Sequence, residues 1–121
     1  TAYCNSKLMN ILFTYEVHKR YKDTGISFNS LHPGFVDTSF GDNNRGLGKN
    51  ILSIGKKLIA INVFKGAKTS VYLASSDEVE NVSGKFFDKS KAVKSSKISY
   101  SDSNQHKLWS YSENIINDLC S

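Results

Sequence analysis

The residues with the most evident chemistry in this 121-residue chain stand at its start. Tyr3 and Lys7 are four positions apart within Ala2 to Tyr21, a run without Gly or Pro. On a helix this spacing puts both side chains on one face, roughly 6 Å apart. A phenol ordinarily titrates near pH ~10, and an ammonium beside it favours the phenolate. A tyrosine so placed can exchange a proton with an alcohol or a ketone. The spacing does not single out the pair, because Tyr15 and Lys19 repeat it on the same segment. Twelve residues at about 100° each turn the second pair roughly 120° away, so both cannot face one site.

Other reactive groupings are absent from the sequence pattern. Cys4 and Cys120 lack Cys or His partners at metal spacing, and His18, His32 and His106 are isolated from one another. No zinc or iron site is readable, so no metal is expected. Two cysteines do not make a disulfide framework, which favours a reducing, intracellular setting, cytoplasmic or on an internal membrane such as endoplasmic reticulum or mitochondrion. The net charge is +5. The lysines are spread along the chain, and with only Arg20 and Arg45 to make forked contacts nucleic acid is set aside. Weak attraction to an anionic membrane surface is the better expectation from that charge. No stretch approaches the roughly 20 apolar residues of a membrane-spanning helix. No signal-peptide pattern is present, and position 1 is not Met, so the chain is expected to begin within a larger product.

The elements that would hold the pair follow from periodicity. Ala2 to Tyr21 reads as a helix, with Cys4, Leu8, Ile11, Leu12 and Tyr15 on one stripe and Met9, Phe13 and Val17 on a second. Two apolar stripes predict burial against more than one neighbour. Lys19, Arg20 and Lys22 suit its C-terminal dipole, and Gly25 can end it. Ile26 to Leu31 reads as a strand stopped by His32-Pro33-Gly34. Gly41 to Lys49 is loop-like. Asn50 to Val63 and Lys65 to Ser76 read as helices, Val82 to Phe87 as a short strand, Lys89 to Ser99 as a flexible connection and Asp102 to Leu119 as a last helix carrying Leu108 and Trp109. Helix, turn and strand in this order indicate an α/β class. Two strands cannot form the core of a doubly wound sheet, so the apolar first helix asks for strands outside the chain.

Ala2-Tyr3-Cys4-Asn5-Ser6-Lys7-Leu8, followed by an apolar helix, a strand and His32-Pro33-Gly34-Phe35-Val36-Asp37-Thr38, resembles the short-chain dehydrogenase/reductase family. That family places a Tyr-x-x-Ser-Lys motif on a helix leading to a strand and a Pro-Gly-x-Val-x-Thr loop, and the distance from Tyr3 to Pro33 matches. Ile11-Leu12-Phe13-Thr14, Leu31-His32-Pro33-Gly34, Val82-Ser83-Gly84-Lys85-Phe86-Phe87-Asp88 and Leu108-Trp109 are similar to its retinol dehydrogenase-like branch. The resemblance covers nearly the whole chain. It implies the C-terminal portion of a Rossmann-type doubly wound parallel sheet, with the N-terminal strands missing, as residues 1–121 of one dinucleotide-binding domain.

The resemblance implies roles as well. Tyr3 is the general acid/base at the substrate oxygen; Lys7 binds the nicotinamide ribose hydroxyls and favours the Tyr3 phenolate. Pro33, Gly34 and Val36 border the nicotinamide, and Thr38 contacts the cofactor, NADP or NAD with NADP favoured by the branch. Phe35, Phe40 and the loop to Lys49 lie toward the substrate, with Ile51 to Val63 as a lid, a membrane-facing surface or a packing helix. The substrate would be a lipophilic alcohol or aldehyde, retinol-like among them, and a homodimer would pair through the first helix and the next. The family's glycine-rich turn, the residue that separates NAD from NADP, and the upstream Ser and Asn have no counterpart here; Gly46-Leu47-Gly48 follows no strand and lacks the third glycine. The chain alone is therefore expected to be inactive. The alternative expectation is a truncated, non-catalytic interaction module.

Overall fold

The computed structural model describes residues 2–34 and 63–120. Six main elements follow in chain order: α1 (Ala2–Arg20), β1 (Asn29–His32), α2 (Val63–Ser75), β2 (Lys85–Asp88), β3 (Lys91–Val93) and α3 (Asp102–Cys120). Short 3-10 turns at Asp77–Val79 and Lys97–Tyr100 precede β2 and α3.

Helix α1 runs uninterrupted because nothing within it breaks the hydrogen-bond ladder, and His18, Lys19 and Arg20 complement its dipole. It ends where the amide of Thr24 closes onto the Tyr21 carbonyl and Gly25 takes a left-handed φ of 75°. The strand that follows starts three residues later than periodicity suggests. Ile26 is 57 % exposed, and the Phe28 amide donates to the Ser83 hydroxyl rather than to a strand partner.

The sheet has the order β1-β2-β3. β1 and β2 run parallel, with Asn29 opposite Lys85 and His32 opposite Asp88. The Asn29 side chain closes the start of this ladder, donating to the Val82 carbonyl at 2.6 Å and accepting from the Lys85 amide at 3.0 Å. These bonds hold Val82 and Ser83 outside the ladder, so β2 occupies Lys85–Asp88 and not 82–87.

β3 corrects the expectation of a flexible connection over Lys89 to Ser99. It pairs antiparallel with β2, Phe86 opposite Val93 and Asp88 opposite Lys91. The turn residues Lys89 and Ser90 both take positive φ, 49° and 61°, the backbone sense that matches strand twist in a two-residue hairpin. The buried Thr69 hydroxyl accepts from the Ser90 amide and ties this turn to α2. The remainder of that stretch winds into the 3-10 turn before α3. The result is a small mixed α/β arrangement with three strands and one parallel pair, consistent with part of a doubly wound fold.

Leu12 and Tyr15 of α1, Val79 and Phe87 form the buried apolar core of the described residues. Tyr72 of α2 tilts against Phe87. α1 packs on α3, on β1 and on the 3-10 turn before α3, which meets the expectation of several neighbours. Met9 and Phe13, of the second apolar stripe, remain 49 % and 43 % exposed.

Candidate active site

Two Tyr-x-x-x-Lys pairs ride on α1, and the fold treats them differently. Tyr15 is buried, its hydroxyl 2.7 Å from Ser95 Oγ and its ring stacked on Tyr100 at 5.4 Å. Burial raises the Tyr15 pKa above the ordinary phenol value. Lys19 is ion-paired to Asp102 at 2.5 Å and donates to Gln105 Oε1 at 2.7 Å. This second pair is consumed by packing.

Tyr3 and Lys7 are otherwise placed. Both are exposed, and Lys7 Nζ lies 5.3 Å from the centroid of the Tyr3 ring. Neither the Tyr3 hydroxyl nor the Lys7 ammonium has a hydrogen-bond or carboxylate partner among the described residues. Ser6 spends its hydroxyl on the helix, donating to the Tyr3 carbonyl at 2.7 Å.

The far half of α1 is anchored heavily. Glu16, buried, holds Arg20 at 2.8 Å and lies 3.6 Å from His106. Trp109 of α3 is covered by the Phe13 ring, centroids 5.3 Å apart, and by the Arg20 guanidinium at 4.6 Å. Gln105, nearly solvent-free, donates to the Ser99 carbonyl at 2.7 Å. His18 Nδ1 lies 2.9 Å from Ser83 Oγ, the same hydroxyl that accepts from Phe28. Glu16 and Arg20 stand at helical i, i+4 spacing, but sequence spacing concealed the contacts of α1 with Ser83, His106 and Trp109, which lie far along the chain. His18, isolated in sequence, is joined to a serine, a residue type too common to signal the contact.

The shared hydroxyl of Ser83 sets His18 level with Phe28. α1 also packs on β1, whose last residue, His32, leads into Pro33 and Gly34. Gly34 takes φ of 79°, turning the chain where a side-chain residue would be strained, and Pro33 is exposed. Ligands of parallel α/β sheets bind in the crevice outside the carboxyl ends of the strands. Val36 and Thr38, with Phe35, Phe40, the loop to Lys49 and the helix expected from Asn50, lie outside the described residues. Among the described residues no group of three or more His, Cys, Asp or Glu gathers where it could hold a metal.

Known proteins similar in sequence supply an independent line. No family model matches the chain. It is 39 % identical over 117 residues to retinol dehydrogenase 14 of Homo sapiens, covering 95 % of this chain and 35 % of that protein. It is 36 % identical over 118 residues to the WW domain-containing oxidoreductase of Drosophila melanogaster, covering 98 % and 29 %. Retinol dehydrogenase 13 of Mus musculus is 34 % identical over 119 residues, covering 95 % and 36 %. The chain spans about a third of the length of these relatives. Along nearly all of its own length, the chain belongs to the short-chain dehydrogenase/reductase family, in the retinol dehydrogenase-like branch.

Proposed function

We propose that Tyr3 and Lys7 are the proton-handling pair of a nicotinamide-dependent oxidoreductase that interconverts an alcohol and a carbonyl compound. The observation that carries this reading is the contrast on α1: Tyr15 and Lys19 are tied into the fold, whereas Tyr3 and Lys7 face solvent together with their polar ends uncommitted among the described residues. Residues 1–121 then form the C-terminal part of one dinucleotide-binding domain of Rossmann type.

The residues present fit a nicotinamide nucleotide. An exposed ammonium without a carboxylate partner among the described residues suits ribose hydroxyls, and a left-handed Gly34 beside Pro33 leaves a backbone that a carboxamide can approach. The cofactor, NADP or NAD, with NADP favoured by the branch, would supply the hydride in reduction and accept it in oxidation. In reduction the Tyr3 hydroxyl donates its proton to the substrate oxygen; in oxidation the phenolate accepts the alcohol proton. Lys7 would hold the ribose hydroxyls. Pro33 and Gly34, with Val36 and Thr38 from outside the described residues, would hold the nicotinamide end of the cofactor.

A lipophilic alcohol or aldehyde, retinol-like, is the proposed substrate class, as the names of the relatives suggest. A homodimer pairing through α1 would cover its exposed Met9. The test is Tyr3→Phe in a protein spanning the relatives' full length. Turnover should fall by about 10²- to 10⁴-fold, the usual contribution of a positioned acid/base; undiminished turnover overturns the assignment. A second reading, a non-catalytic interaction module, draws on Tyr111, Ile116 and Leu119 of α3, exposed by 66 %, 58 % and 80 %. Cofactor-dependent turnover that disappears with Tyr3→Phe would exclude it.

A further inference from the structure

Five lysines lie on and just after the β2–β3 hairpin, at the β3 side of the sheet. Lys85 lies in β2, Lys89 at the hairpin turn, Lys91 in β3, Lys94 just beyond it and Lys97 at the start of the following 3-10 turn. All five are exposed, and none is paired with a carboxylate among the described residues. Asp88 is the one acidic residue between Lys85 and Lys97. The five lysines fall within the one run from Lys85 to Lys97, and the hairpin folds that run back on itself. With Phe86 opposite Val93, one further step of the same register sets Lys94 opposite Lys85. Like charges facing one another across a strand pair cost stability.

Lysines on an edge strand deter the addition of further strands. That role does not account for the apolar surface among them: Val93 and Ile98 are 42 % and 54 % exposed. Exposed apolar side chains within a lysine cluster match an interface where head groups meet acyl chains. Long lysine stems let ammonium groups from both faces of the hairpin reach one plane. We propose that this edge docks on an anionic phospholipid bilayer, with the lysines against the head groups and Ile98 and Val93 at the acyl boundary. Nucleic acid is the poorer match. The stretch contains no arginine fork, and its exposed aromatic, Tyr100, is stacked on Tyr15 rather than open to a base. No described helix is long and apolar enough to cross a membrane, and docking of this kind requires none.

The test is sedimentation of the 121-residue chain with vesicles of phosphatidylcholine alone or mixed with phosphatidylserine, over a salt series. Binding should require phosphatidylserine and weaken with salt. Combined Lys91→Gln, Lys94→Gln and Lys97→Gln should lower the partition coefficient about a hundredfold, at roughly fivefold per lysine. Lys65→Gln, Lys68→Gln and Lys107→Gln remove the same charge from α2 and α3 and should lower it less than about fivefold, because distant charges are screened. Equal losses in the two triple variants, or equal binding to neutral vesicles, would overturn the proposal. So would an edge variant that loses oligonucleotide binding while keeping vesicle binding. Trp109 emission reports whether each variant keeps its fold; if the triple variant does not, the single Lys94→Gln variant gives the same comparison at about fivefold. No residue of the proposed hydride-transfer site is altered, so the result is independent of that reading.

Discussion

Replacing Gly84 by Ala asks two things of the fold at once, and they can be separated. Gly84 has φ of 69°, and a Cβ added there would collide with His18 Cδ2 and fall 2.8 Å from the Cγ and Nε2 of the same ring. A left-handed alanine costs about 1–2 kcal/mol in backbone energy. The clash adds a second cost, since His18 must swing away and release Ser83 Oγ, a bond worth about 0.5–1.5 kcal/mol, while losing packing. Gly84→Ala should therefore destabilise the chain by about 2–4 kcal/mol. Gly25 supplies the control: its φ is 75°, but a Cβ added to it would meet nothing within 4 Å. Gly25→Ala should cost only the backbone part, about 1–2 kcal/mol. Urea unfolding followed by Trp109 fluorescence and far-ultraviolet circular dichroism measures both. The decisive comparison is Gly84→Ala in a His18→Ala background, where the clash is gone and the cost should fall to that of Gly25→Ala. Equal costs for the two glycines in the parent chain, or an undiminished Gly84→Ala cost without the imidazole, would refute the steric account.

Other outcomes follow from the same contacts. Trp109→Ala removes the ring that Phe13 and Arg20 cover and should cost about 2–4 kcal/mol, read from thermal unfolding by circular dichroism. Gln105→Leu leaves the Ser99 carbonyl unpaired in a dry position and should cost about 1–3 kcal/mol, whereas Asp102→Asn, at an exposed ion pair, should cost less than about 1 kcal/mol. Hydrogen bonds from Ser95 and Tyr15 lower the Tyr100 pKa, and burial raises that of Tyr15, so in an alkaline titration followed by absorbance Tyr100 should ionise before Tyr15. The sign for stability follows: Tyr15 contributes stability that is complete below its unfolded pKa near ~10 and is lost as pH rises through its raised folded value. A Tyr100→Phe variant that leaves the first phenolate step unchanged would contradict this order. Tyr15→Phe should lower the unfolding midpoint, and Tyr3→Phe should leave it within experimental error, because of these two hydroxyls that of Tyr15 alone is bonded within the described residues.

The two long helices were legible from sequence because their apolar residues recur at helical spacing without interruption. The strands were legible only approximately. Apolar alternation at Ile26 and Phe28 suggested an early start for β1, but the Ser83 hydroxyl captures the Phe28 amide first. β3 was not legible, since Lys91-Ala92-Val93 has little apolar pattern and owes its pairing to a left-handed turn at Lys89 and Ser90, residues not typical of that conformation. Tyr3 and Lys7 could be named from their motif. What separates them from Tyr15 and Lys19 is three-dimensional: Ser95 and Asp102 lie 80 and 83 positions from their partners.

The anchors of α1 lie on Leu12 to Arg20, and the proposed reacting pair lies at the other end of the same rod. From His18 to Tyr3 the helix rises about 22 Å. A tilt of about 5° about the His18 contact would displace the Tyr3 end by about 2 Å, by simple leverage over that rise. Catalytic geometry tolerates about 0.5 Å. The latch of Trp109, Arg20 and Glu16 thus acts as the fixed mount of an aiming device, and damage to it would appear first as misdirected chemistry some ~20 Å away.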